Sequence, residues 1–186
     1  MPGFRRVAEE TLYAGSLIRV ALETFEDPGG ERFDREVVHH PGAVVVVPLS
    51  ERDTVLMVRQ YRAAVGGELL EVPAGKRDVA GEPTEVTAQR ELAEEVGRQA
   101  GRLELLARFY NSPGFCDEHT WLYLARDLRE VPTDRQGTEE RRMTVEEIPL
   151  ADTPRLVAAG EIVDAKSIVG LCLARERTGA AGRPGG

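Results

Sequence analysis

The sequence predicts one α/β domain carrying a β-rich extension at its front, and three stretches support that prediction. GAVVVVPL (42–49) is an uninterrupted β-branched run, the pattern of a strand buried on both faces. From Thr84 to Val96, Ala88, Leu92 and Val96 recur at i, i+4 and i+8, with Val86 and Ala93 widening the stripe, so an amphipathic helix is expected there. Before residue 41, two strand-like segments flank EDPGGE (26–31), a turn with paired glycines. The chain has 186 residues, enough for one domain with a proper core.

The remaining elements follow in order. SLIRVALETF (16–25) and RFDREVVHH (32–40) form the expected front hairpin. TVLMVRQY (54–61) and ELLEVPAG (68–75) are further strands. Pro83 suits the start of the 84–96 helix and Gly97 its end. LELLARFYNS (103–112) and HTWLYLARDL (119–128) are strands joined by the loop PGFCDE (113–118). VPTDRQGTEERR (131–142) is a polar loop and MTVEEIPL (143–150) a short strand. Helices are expected over 151–160 and 164–177. The expected organisation is a β extension at 1–40, a main α/β domain at 41–178 and a disordered tail at 179–186.

Composition narrows the function. Twenty-four Lys and Arg stand against 32 Asp and Glu, a formal net charge of −8. That field repels polyanions and argues against general affinity for nucleic acid or acidic membranes. The longest apolar run is far too short to span a bilayer. The N-terminus shows no apolar signal region. Cys116 and Cys172 are far apart and form no CxxC pair, so neither a disulfide framework nor a zinc site is expected, and a reducing cytoplasm is the expected compartment.

Glu91, Glu94 and Glu95 sit behind Arg90 within about one and a half helical turns. Like charges at i, i+3 and i+4 cost a helix a few tenths of a kcal/mol per pair. A solvated face is the ordinary explanation. A hard divalent cation is the other, because Mg²⁺ seeks oxygen ligands and bridges carboxylates to substrate phosphates. The preceding loop, PAGKRDVAGE (73–82), comes straight off a strand and is Gly-punctuated, a common setting for a binding site.

These residues resemble the Nudix box, Gly-x5-Glu-x7-Arg-Glu-U-x-Glu-Glu-x-Gly-U with U aliphatic. Glu82, Arg90, Glu91, Leu92, Glu94, Glu95 and Gly97 match its spacing. The interval from Gly75 to Glu82 is one residue longer than the pattern, and Arg98 stands where an aliphatic residue is preferred. The resemblance implies a Nudix-type α/β/α sandwich with a mixed sheet and Mg²⁺-dependent cleavage of a diphosphate, Mn²⁺ being a substitute. By position it implies Glu91 and Glu95 as main metal ligands, with Glu94 and the Ala74 carbonyl contributing. Glu82, Arg90, Gly75 and Gly97 would orient the motif.

EETLYAG, REVVHHPGAVVVVPL, VRQYR, LLEVPAG, NSPGFCDE and GEIVDAKSIVGL are similar to the ADP-ribose pyrophosphatase branch of that family. This implies hydrolysis of ADP-ribose to AMP and ribose 5-phosphate. Other nucleoside diphosphate sugars, such as GDP-mannose or ADP-glucose, are the alternative substrates. A non-catalytic ADP-ribose sensor is the alternative class, opposed by the retained glutamates. The base is expected on the 131–142 loop, as Glu140 with Glu139 the alternate. Arg35, Arg62, Glu71, Ser112, Gly114 and Glu118 are the candidate substrate contacts. An exposed hairpin is marginal alone, and the resemblance implies a homodimer that exchanges the extension, with a residue such as Arg35 lent to the partner's site.

Overall fold

The structure is a computed structural model that describes residues 3–135 and 137–179. The expected disordered tail lies, beyond Gly179, outside the described residues. The chain divides into two compact units, one of the chain up to Gly42 with Phe109–Thr120, the other of Ala43–Arg108 with Trp121 onward.

The first unit is built on an antiparallel sheet of β1 (Arg5–Ala14), β2 (Arg19–Glu26) and β3 (Arg32–His39), in that order. β2 and β3 are the expected hairpin. Their turn is held by Asp27, whose Oδ1 accepts from the amides of Gly29 and Glu31, both at 2.8 Å. The left-handed φ of 88° at Gly30 explains the paired glycines. β1 was not anticipated as a strand. It is exposed along nearly its whole length, so it carries no alternating apolar signal, and it forms by pairing with β2 from Arg5↔Glu26 to Ala14↔Arg19. The 113–118 loop joins this unit through β3: the Val38 amide donates to the Phe115 carbonyl at 2.7 Å, and the Asp117 amide to the Val38 carbonyl at 3.0 Å.

In the second unit, β4 (Ala43–Pro48) is wholly buried, as its valine run predicts. It lies in a sheet ordered β7 (Ala74–Lys76), β4, β9 (His119–Glu130), β8 (Arg98–Tyr110). β10 (Thr144–Pro149), β5 (Thr54–Arg62) and β6 (Gly67–Glu71) form a second, antiparallel sheet. The expected strand over 68–75 is thus two short strands broken near Pro73, which has no N–H to give a ladder.

Alternation along β4 assigns its two faces. Val44 and Val46 pack with Leu56, Val58 and the apolar stripe of α1 (Thr84–Val96): Ala88, Leu92 and Val96. Val47 meets α3 (Ala165–Arg177) at Gly170, where a Cβ would lie 2.9 Å from Val47 Cγ2 and 3.1 Å from Leu122 Cδ1. Helices therefore cover both faces of the sheet, an α/β/α sandwich. The expected 151–160 helix is a 3₁₀ turn followed by the short α2 (Thr153–Ala158). Asp164 caps α3, its Oδ2 accepting from the Ser167 amide at 2.8 Å.

One expectation about α1 is corrected. Val86 does not widen the core stripe; it is 51% exposed. The second buried line of the helix is Thr87, Glu91 and Glu95, each one position N-terminal to a member of the apolar stripe Ala88, Leu92 and Val96.

Candidate active site

Two carboxylates on the buried side of α1 need a reason, because an ionised group out of water costs several kcal/mol unless compensated. Glu91 is 8% exposed and Glu95 4%. Burial pushes the Glu91 carboxyl up to about 7; Arg90 opposes the rise, while Glu94 and Glu140 add to it. Burial also lifts Glu95 well above the usual carboxylate range, and Glu91 and Glu140 push the same way. Glu94 is raised as well, first by burial.

The strand before the helix is shaped to receive these groups. The Ala74 amide donates to Glu95 Oε2 at 3.1 Å. Gly75 lies directly against Glu91: a Cβ at that position would fall 1.8 to 2.2 Å from the carboxylate atoms. The glycine opening this motif is therefore a matter of space rather than of left-handed backbone.

Arg90 partly offsets the acids. Its Nη1 donates to Glu91 Oε1 at 2.8 Å and to Glu94 Oε2 at 3.3 Å, and its Nη2 reaches Glu82 Oε2 at 3.4 Å. Glu82 is held below its ordinary pKa, first by the Thr87 hydroxyl, which donates to it at 2.8 Å. Thr87 is fully buried and was missed in the sequence because a helical Thr carries no motif signal. Glu82, Arg90 and Thr87 thus tie the preceding loop to the helix.

Gly97 closes α1 with a φ of 63°, and its amide bonds back to the Ala93 carbonyl at 3.0 Å. A Cβ there would also meet Thr133 Cγ2 at 2.9 Å and the Val131 carbonyl at 3.0 Å. The 131–142 loop is thereby seated on the end of the helix. Glu139 is exposed and precedes a 3₁₀ turn over Glu140–Arg142. Glu140 Oε2 accepts from the Gly137 amide at 3.0 Å. Arg135, which no motif pointed to, donates to the carbonyls of Glu95 and Met143.

The other expected residues fall into two groups. In the second unit, Arg62 forks onto the buried Glu71, Nε to Oε1 at 2.9 Å and Nη2 to Oε2 at 2.7 Å, and its charge is felt at Glu95. In the first unit, Arg35 and Gly114 line a cavity of about 380 Å³ together with Phe25, Tyr110 and Phe115. Arg35 stacks over Phe33 at 4.6 Å. The Ser112 carbonyl accepts from the Phe115 and Cys116 amides, and Glu118 stands 3.9 Å from His40 Nδ1. Trp121 packs on the core with Arg77 over its ring at 4.4 Å.

The donor set on α1 suits a hard divalent cation. It offers only oxygens, including those of the buried Glu91 and Glu95 carboxylates, and Gly75 leaves the carboxylate of Glu91 room. Carboxylates gathered on a helix behind a glycine loop, in an α/β/α sandwich, define a class of enzyme. Residues 38–164 match the NUDIX domain family, and the chain belongs to it; members of this family generally use a divalent metal.

Individual relatives narrow the picture. The chain is 43% identical over 168 residues to an ADP-ribose pyrophosphatase of Mycobacterium tuberculosis, covering 90% of this chain and 81% of the relative. It is 38% identical over 163 residues to an ADP-ribose pyrophosphatase of Bacillus subtilis, covering 88% of each. A crystal structure of an ADP compounds hydrolase superposes with a TM-score of 0.84 at 25% identity, covering 98% of this chain and 97% of the other.

Proposed function

We propose that this chain hydrolyses the diphosphate bond of ADP-ribose, with Mg²⁺, to AMP and ribose 5-phosphate. The observation that carries the reading is the convergence of Glu91, Glu94, Glu95 and Glu140, with Glu91 buried against Gly75 and Glu95 buried and held by the Ala74 amide. The names of the two pyrophosphatase relatives support the substrate. Glu91 and Glu95 would hold the metal, with Glu94 and the Ala74 carbonyl completing the protein's share. When bound, Mg²⁺, or Mn²⁺ in its place, neutralises charge developing on the diphosphate.

The chain's own groups supply the rest. Glu140 takes the proton of the attacking water as its oxygen bonds to phosphorus and the bridging P–O bond breaks. Glu139, which is exposed, is the lesser candidate. Arg90 lies between the carboxylates, donating to Glu91 and Glu94 and offsetting their charge while Glu82 holds its other edge. In the second unit Arg62, paired with Glu71, is a proposed substrate contact; in the first unit Arg35, Ser112, Gly114 and Glu118 are the proposed contacts for the nucleoside and terminal ribose.

The extension makes a homodimer in this reading. Phe4, Leu12 and Tyr13, in and beside β1, are each more than half exposed, which suits burial against a second copy. Sedimentation of the purified protein at twice the monomer mass is the expected result. Among the described residues no helix is long and apolar enough to cross a membrane, and the cytoplasm is the proposed compartment.

The functional test is a panel of ADP-ribose, GDP-mannose, ADP-glucose, NADH and 8-oxo-dGTP incubated with Mg²⁺ and resolved by chromatography. AMP released from ADP-ribose in preference to the rest is expected. Preference for GDP-mannose would overturn the substrate assignment, and binding of ADP-ribose without turnover would make the protein a sensor.

A further inference from the structure

α1 has no basic residue in its last turn. The carbonyls at a helix end lack intrahelical partners and carry the negative pole of the dipole, so a cation delivered from elsewhere is favoured there. Arg135 delivers it. Its Nη2 and Nε donate to the Glu95 carbonyl at 2.9 and 3.3 Å, and its Nη1 donates to the Met143 carbonyl at 2.6 Å. Met143 is itself buried in the core, at 3% exposure. One guanidinium therefore joins the backbone of a candidate metal ligand to the far end of the loop bearing Glu140. The near end is fixed independently, the Val131 amide donating to the Gly97 carbonyl at 3.0 Å.

We propose that Arg135 is a positioning residue: a clasp that closes the 135–143 loop on the C-terminus of α1 and sets Glu140 against the carboxylate cluster. The inference rests on the functional reading above. The guanidinium reaches the two carbonyls from different nitrogens of one planar fork, whereas the three donors of an ammonium radiate from a single nitrogen and cover a shorter span. Arg135→Lys should therefore keep the helix-end charge and lose the clasp.

Two readouts separate the clasp from the reaction. In metal-free protein, Arg135→Ala should speed amide hydrogen exchange at Arg141, Arg142 and Met143 by about tenfold or more, leaving α1 and β4 protected. The amides of these three residues bond within the loop, to the carbonyls of Gly137, Glu139 and Glu140. With Mg²⁺ and ADP-ribose, kcat should fall about 10²-fold with KM within about twofold, the signature of a displaced catalytic group. Arg135→Lys should recover less than half of either loss on a logarithmic scale. Unchanged exchange in Arg135→Ala would overturn the clasp even if the substrate proved different. Faster exchange with unchanged kcat would overturn the positioning role, as would complete rescue by Lys. Absence of wild-type turnover, by contrast, strikes the functional reading, and the exchange result still decides the clasp.

Discussion

Glu91→Gln should make the metal-free protein more stable at pH 8 while abolishing its activity. Burial raises the Glu91 carboxyl from 4.5 to about 7 in the folded chain. A raised folded pKa means the folded state binds the proton more tightly than the unfolded one. Its stabilising contribution is therefore full below the unfolded pKa near 4.5 and lost as pH rises through about 7. At about 1.36 kcal/mol per pKa unit, Glu91 costs the metal-free fold about 3 kcal/mol at pH 8 relative to pH 4. Glutamine carries no charge to desolvate and escapes that loss. For a chain of this length the difference corresponds to about 6 to 12 °C in Tm.

The assay is thermal unfolding in chelator from pH 4 to 8 for wild type and variant. The two curves should coincide near pH 4 and separate steadily to pH 8, with the variant higher. Glu95, raised in the same direction first by burial, leaves the variant a residual decline, and because Glu91 also pushes Glu95 up, the difference curve reports Glu91 together with its coupling to Glu95. Mg²⁺ should close the gap by stabilising wild type alone, since a cation that binds only the folded cluster stabilises by mass action. Parallel curves, or a variant less stable at pH 8, would show that Glu91 is not an uncompensated buried charge.

Three further outcomes are expected. Gly75→Ala places a methyl inside the space of the Glu91 carboxylate and should cut turnover about 10²-fold, read by AMP release at saturating substrate. Glu140→Gln should lower kcat by about 10²- to 10⁴-fold, as removal of a general base does. Glu139→Gln, an exposed change, should stay within about twofold in the same assay.

Periodicity located most of the fold because the burial pattern and the apolar pattern agree. The valine run became β4 and the 84–96 period became α1 with the expected ends. They disagree at β1, where RRVAEETLYA is exposed and polar and pairing with β2 alone makes the strand. They disagree again on α1, where Val86 faces water and Glu91 and Glu95 face inward. Apolar counting must fail there, since functional sites are where local sequence rules are broken, and the proposed metal site would bury the residues a core excludes. The motif spacing singled out those glutamates where periodicity did not. It could not reach Thr87 or Arg135, whose roles lie in contacts to Glu82 and to backbone carbonyls that only tertiary structure brings near.

The central claim is that the glutamates tolerate one another because the working state holds a divalent cation and a substrate diphosphate between them. The most direct measurement is AMP release from ADP-ribose by wild type and Glu95→Gln side by side across a Mg²⁺ titration, with circular dichroism confirming that both are folded. Wild type should turn over only with Mg²⁺ present, and the folded variant should not turn over at any Mg²⁺ concentration. Normal turnover by Glu95→Gln, or wild-type turnover in chelator, would contradict the account.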